Sequence, residues 1–197
     1  MRGVIALCSF LVCVIAVPLS AQESQEQQQM MEIYMKLAQP GEHHEHLKPL
    51  AGKWKQTSKH RQTPEMAWET WEGESTAEWI LGGRFLMVEV TGPPMMGAPA
   101  DFEGVGIMGY DNGAKQYTFV WMDSFGTMTL MSEGSCDGSG KVITYESKMK
   151  DPASGMDLTM RSVYTIESAD KYTIEMYMAM PGVPEFLSME MTNTRMK

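Results

Sequence analysis

The chain has 197 residues, enough for one domain of ordinary size, and nothing in it suggests a second. It carries 25 acidic against 16 basic side chains, for a net charge of −9. With no basic patch to oppose that balance, nucleic-acid backbones and anionic lipid surfaces are excluded as partners.

The N-terminus reads Met1-Arg2-Gly3, then a run over residues 4–17 that is apolar apart from Ser9, then Pro18, Leu19, Ser20, Ala21 and Gln22. A positive start, an apolar middle and a small, polar end match the order of a secretory signal peptide. The run falls short of the roughly 20 residues that span a bilayer. We expect cleavage near Ala21, no stable membrane anchor afterwards, and a secreted or periplasmic product. Cys8 and Cys13 lie in this leader, and Phe10-Leu11-Val12 before Cys13 lacks the small residues of a lipoprotein box. Cys136 alone remains, so an internal disulfide is impossible and the core must hold the exported chain together. Methionine is unusually frequent: 21 residues, all but Met1 beyond the leader.

Residues 22–29 are polar and rich in glutamine, and read as a flexible leader. Ser24 is placed to cap a short helix carrying Met30, Ile33, Tyr34 and Leu37, which Gln39-Pro40-Gly41 ends. A second helical turn over residues 42–50 points Leu47 and Leu50 inward. The expected organisation is a signal over 1–21, a leader and short helix over 22–39, and one barrel domain over 40–197.

From Gly52 the apolar period changes to two. Strands are predicted over residues 53–60, 70–81, 84–91, 102–110, 116–123, 127–135, 141–150, 156–167, 172–180 and 186–196. Gly82-Gly83, Asn112-Gly113, Asp137-Gly138-Ser139-Gly140 and Pro181-Gly182 are among the turn signals between them. Asn112-Gly113 predicts a tight type I′ hairpin. Its flanking strands put Phe102, Gly104, Gly106, Met108 and Tyr110 on one face, and Tyr117, Phe119, Trp121 and Asp123 on the other strand's matching face. Links this short join antiparallel neighbours, because parallel pairing needs long crossovers. A meander of about ten strands closes on itself and so loses both exposed edges. The fold class is all-β: a single antiparallel up-and-down β-barrel with a short N-terminal helix. A two-sheet sandwich is the alternative.

Leu50-Ala51-Gly52-Lys53-Trp54 enters the first strand straight from a helical turn, and this Gly-x-Trp resembles the start of lipocalin-type (calycin) barrels. The wider series is more specific: Glu42-His43-His44-Glu45-His46-Leu47, then Leu81-Gly82-Gly83-Arg84-Phe85-Leu86, then Gly109-Tyr110-Asp111 and Trp121-Met122-Asp123-Ser124. It is similar to the bacterial family called domain of unknown function 1579 (DUF1579), from about Pro40 to the C-terminus. The resemblance implies a lipocalin-like barrel without an assigned activity. It also implies that Trp54 closes the barrel floor beneath an arginine of the last strand, for which Arg195 is the candidate. An even-numbered meander supports this, since the start of its first strand and the end of its last lie at one end of the barrel.

Met176, Met178 and Met180 alternate on one strand with Tyr172 and Ile174, and Met189 and Met191 share a face with Leu187 on the next. Thioethers are soft ligands for Cu(I), yet they also fill irregular apolar space, and we read these as interior lining. His43, His44 and His46 could bind zinc or copper, or could be a polar helix end entering the barrel; no metal site is assigned. No cofactor is expected. Haem would need an inward histidine on a strand, and His60 is the sole strand candidate. Glu89, Glu103, Asp157, Glu175 and Glu190 alternate as an outer surface would, but Asp123 shares the aromatic face, with Arg161 or Arg84 as possible partners. No serine or cysteine nucleophile, phosphate loop or dinucleotide fingerprint is present; Gly104-x-Gly106-x-x-Gly109 runs into a hairpin rather than a helix.

The expected function is an exported binding protein, rather than an enzyme, for a small apolar or amphipathic molecule. Its expected ligand-binding residues are Trp79, Tyr110, Phe119, Trp121, Asp123, Arg161, Tyr164, Met176 and Met178. Metal handling through the histidines and methionines is one alternative. An enzyme using Asp123 with Tyr110, Tyr164 or Arg161 is the other.

Overall fold

The computed structural model describes residues 19–95, 97–151 and 154–197. The expected leader lies outside them up to residue 18. The chain divides into a unit ending at Ala38 and a unit over Gln39–Lys197. The first shows one helix, α1 (Leu19–Leu37). It takes in the glutamine-rich stretch expected to be flexible, and it begins before Ser24. The reason is local: residues 19–37 contain neither glycine nor proline and are rich in good helix formers, so nothing interrupts the helix. The expected apolar face, Met30, Ile33, Tyr34 and Leu37, is exposed. Among the described residues, no helix is long and apolar enough to cross a membrane.

The second unit opens with α2 (Glu42–Glu45) and a 3₁₀ turn (Lys48–Leu50). Ten strands come next: β1 (Gly52–His60), β2 (Glu69–Ile80), β3 (Phe85–Gly92), β4 (Phe102–Asp111), β5 (Gln116–Asp123), β6 (Leu130–Cys136), β7 (Val142–Lys150), β8 (Asp157–Ser168), β9 (Lys171–Met180) and β10 (Val183–Arg195). Each pairs antiparallel with its sequence neighbour, and β1 pairs with β10, so the barrel is closed. The sandwich alternative falls, because the β1–β10 ladder leaves no sheet edge.

Alternation sorts the side chains. On β1, Lys53, Lys55 and Lys59 point out while Trp54, Gln56 and Ser58 are buried inside. A bulge in β10 changes the pattern locally. The β9–β10 register slips between Leu187 and Met189, which stands opposite Met176 while Leu187 stands opposite Tyr177. Leu187 therefore faces away from Met189 and Met191, against the expected shared face. A bulge adds one residue and reverses the parity of the strand beyond it.

The β4–β5 turn also differs from expectation. Asp111 pairs with Gln116, leaving a four-residue loop rather than a two-residue type I′ turn. Asp111 Oδ1 accepts from the amides of Gly113 at 2.7 Å and Ala114 at 2.9 Å, and Lys115 N donates to Asp111 O at 2.7 Å. The left-handed residue is Lys115, with φ 57°. The aspartate side chain organises the turn and removes the need for positive φ at Asn112-Gly113.

Candidate functional site

The barrel has two unlike ends. At the closed end, Leu47 and Leu50 from the helical turns pack with Trp54, Leu86, Met108, Tyr117, Ile143 and Tyr172. Trp54 is 0% exposed and its indole N–H donates to Leu50 O at 2.9 Å. Arg195 stands directly opposite it in the β1–β10 register, and its guanidinium carbon lies 4.1 Å from the indole centroid. Its nitrogens donate to three carbonyls: Nε to Ala169 O at 2.6 Å, Nη1 to Ala51 O at 2.8 Å and Nη2 to Pro49 O at 2.9 Å. Tyrosine, tryptophan and arginine thus seal this end as the closure argument required.

The histidines belong to this plug. His44 is buried and its Nδ1 accepts from Gly41 N at 3.1 Å. Burial, with the charges of His43 and Arg84 nearby, lowers its pKa. His43 stacks on Tyr110 with centroids 4.1 Å apart, and His46 Nδ1 lies 2.6 Å from the Tyr117 hydroxyl. Burial, together with the Cys136 thiol beside it, pushes the Tyr117 phenol up. Among the described residues, no group of three or more His, Cys, Asp or Glu converges as a metal site would.

The other end is a mouth. Here Val88, Phe119, Trp121, Met160, Met176, Met178 and Met191 face the interior but are only half-buried, while Trp71, Val90, Phe102, Leu158 and Phe186 are buried. Two glycines make its wall. A Cβ on Gly104 would meet the Trp121 ring at 2.5 Å, and one on Gly106 would meet Phe119 at 2.7 Å. The glycine-rich middle of β4 lets both rings lie flat on the strand, which keeps them out of the lumen. Trp121 Nε1 donates to Asp123 Oδ2 at 2.8 Å, and Phe125 N donates to Asp123 Oδ1 at 3.0 Å. Asp123 thus fixes the indole instead of pairing with Arg161 or Arg84. Phe119, Tyr145 and Tyr164 form a ring cluster, with centroids 5.5 to 6.3 Å apart. Trp71, Val90 and Phe102 form a second apolar group toward the mouth. An open depression of about 720 Å³ lies elsewhere, lined mainly by outward side chains such as Thr118, Glu133, Thr144 and Glu146, and belongs to the outer wall.

Of the nine expected ligand residues, the structure brings Phe119, Trp121, Asp123, Tyr164, Met176 and Met178 to the lumen. Trp79 and Tyr110 are inward but pack at the closed end. Arg161 is not in the lumen: it faces out, stacks on Tyr177 at 4.0 Å and bonds Glu185 at 3.0 and 2.6 Å. One residue of register separates it from the inward Met160 and Ser162. Glu89, Glu103, Glu175 and Glu190 also stand at outward positions. His60 is inward at the mouth, opposite Glu69 and Met189, with Glu69 Oε2 3.7 Å from Nε2.

Sequence reasoning missed Gln56, Ser58, Tyr145 and Asn193 as lining. The signal was available for three of them. Gln56 and Ser58 sit two and four residues past Trp54 between outward lysines, and Asn193 sits two before Arg195.

A family profile described as a protein of unknown function (DUF1579) matches residues 39–195. Among solved structures, the chain is similar to Rv2717c from M. tuberculosis at 16% identity and TM-score 0.56, covering 81% of this chain and all 100% of that one. A redesigned beta barrel matches at 15% identity and TM-score 0.39, covering 76% of this chain and 94% of that chain. Comparison with curated proteins returns no match. The likeness to Rv2717c is one of fold.

Proposed function

The chain belongs to DUF1579, a family of unknown function, and we propose that this member is an exported binding protein that holds a small apolar or amphipathic molecule in its lumen. One observation carries the reading. The barrel is sealed at one end by Trp54 and Arg195, yet Phe119, Trp121, Met160, Met176 and Met178, inward farther along the strands, remain partly exposed. A packed barrel would bury both halves alike. Barrels of comparable strand number enclose ligand cavities, and flexible thioethers let a wall adapt to varied shapes. Export rests on the leader-like N-terminal sequence.

Metal handling through His43, His44 and His46 has less support, because their rings are engaged with Gly41, Tyr110 and Tyr117. Catalysis by Asp123 has less support as well, because its two oxygens hold Trp121 and Phe125.

Native mass spectrometry of gently purified protein tests the proposal, together with titration of an apolar fluorescent dye. A co-purifying small molecule, or saturable dye binding that Gly106→Val weakens, is the expected result. Neither a bound molecule nor any dye binding would refute it.

A further inference from the structure

The bottom of the lumen carries polar atoms that no protein group satisfies. Gln56 on β1 and Asn193 on β10 stand opposite each other, one inward step above Trp54 and Arg195. Gln56 is 3% exposed and Asn193 0%. Their amides share one hydrogen bond, Gln56 Nε2 donating to Asn193 Oδ1 at 2.9 Å. Gln56 Oε1 and Asn193 Nδ2 are left buried and without a partner. Flipping both amides would exchange the atoms and leave the same remainder, one acceptor and one donor side by side. Ser58 Oγ, the next inward group on β1, and the Tyr145 hydroxyl on β7 are buried and unpartnered too.

A buried donor or acceptor left unmatched costs about 1–3 kcal/mol. Native folds carry few of them, so the two left on the adjacent amides of Gln56 and Asn193 point to a group that they receive. Charge narrows what that group is. Among the described residues, the inward positions between floor and mouth carry no charged side chain; His60, Glu69 and Asp123 stand at the mouth. Arg195 lies at the floor with its donors already committed to Ala169, Ala51 and Pro49. Burial raises the Tyr145 and Tyr164 phenols, so both stay neutral. An anion carried to this depth would lose its hydration without a free charged donor, because the Arg195 guanidinium is committed to carbonyls and faces Asp170 at 3.5 Å, a penalty of several kcal/mol.

We propose that the lumen takes its ligand head down: an uncharged head group that both donates and accepts, of which a primary carboxamide is the simplest, bonds Gln56 and Asn193, while the apolar remainder lies along Phe119, Trp121 and Met176 toward the mouth. The proposal rests on the barrel being a ligand-binding protein, and adds which head group it selects and which way round the ligand sits. Met191, the next inward side chain on β10 above Asn193, is flexible enough to move aside for the head.

A head-group series of one acyl chain length tests this on the full chain: the primary amide, the N,N-dimethylamide, the methyl ester and the carboxylate, each displacing an apolar dye. The primary amide keeps donor and acceptor; the dimethylamide and ester lack the donor; the carboxylate is charged. The expected result is that the primary amide binds about tenfold or more tightly than the other three, the weight of one unmatched buried polar group. Gln56→Met should erase that preference and leave dimethylamide binding unchanged. Equal binding across the series would overturn the head-down proposal while leaving the binding function standing, as would a carboxylate that binds best. A preference that survives Gln56→Met overturns it too. Absence of binding by every member overturns both readings. The series on the unaltered chain is decisive by itself should Gln56→Met fail to fold.

Discussion

At the closed end of the barrel, Trp54, Leu47 and Leu86 are completely buried and each polar group of Arg195 has a carbonyl to meet. A few rungs away along the same strands, Phe119, Trp121, Met176 and Met178 face inward only partly buried, and Gln56 Oε1 and Asn193 Nδ2 lack partners. The difference lies in what closes each end. The floor is filled by two helical turns and an indole–guanidinium stack, and close packing there yields stability. Farther along, Phe119, Trp121, Met176 and Met178 are less buried, so each contributes less to stability than Trp54 does.

Mutations can break that comparison. Trp54→Ala should have the largest effect, a loss of about 3–5 kcal/mol, because it removes a sealed aromatic side chain and leaves a cavity. Chemical denaturation measures it. Gly106→Val should cost about 1–3 kcal/mol by overpacking, since its Cβ would press on Phe119 at 2.7 Å. Its sharper sign is functional: the displaced rings enter the lumen, so dye affinity should fall more than the stability loss explains. A variant of unchanged affinity would show that these rings do not bound the site.

Arg195→Ala should cost less, about 0.5–2 kcal/mol for the cation–π contact. Because it acts on the same unit as Trp54→Ala, the double mutant should lose less than the sum of the singles. Strict additivity would sever the two. Met178→Ala should cost about 1 kcal/mol or less, below the 2–5 kcal/mol of a sealed methionine, while altering dye affinity. A loss as large as that of Trp54→Ala would mean that the lumen is packed like the floor.

The smallest effect is a pH dependence of the plug. The folded His44 has a pKa below its ordinary 6.5, so the unfolded chain takes up the proton first. Its contribution to stability is complete above pH 6.5 and is lost as the pH falls below that value. Unfolding midpoints should therefore drop more steeply between about pH 7 and pH 5 in the native chain than in His44→Gln. Equal slopes would place the effect elsewhere.

Much of this was legible in the residues. Alternation and short links predict the strands, and the even meander predicts that Trp54 meets Arg195. Phe119, Trp121 and Asp123 share a face by simple parity, and the structure turns that face inward. Arg161 shows the limit: its neighbour Tyr164 is inward and three residues away, so parity already placed it outside. Leu187 shows another limit, because a bulge is invisible until the register of β9 against β10 is known. The Asn112-Gly113 turn went a third way, where one aspartate side chain outweighed a dipeptide preference.

By itself, the sequence determined the all-β class of fold and, along each unbulged strand, which side chains share a face, because a period of two is a local property. Only the tertiary structure decided that the helical turns and Trp54 fill one end while Phe119, Trp121 and the β9 methionines stay partly exposed. It alone brought Gln56 beside Asn193, 137 residues apart in the chain, and left half of each amide unmatched. Such a pairing depends on the register between the first and last strands, which is not written in either segment alone.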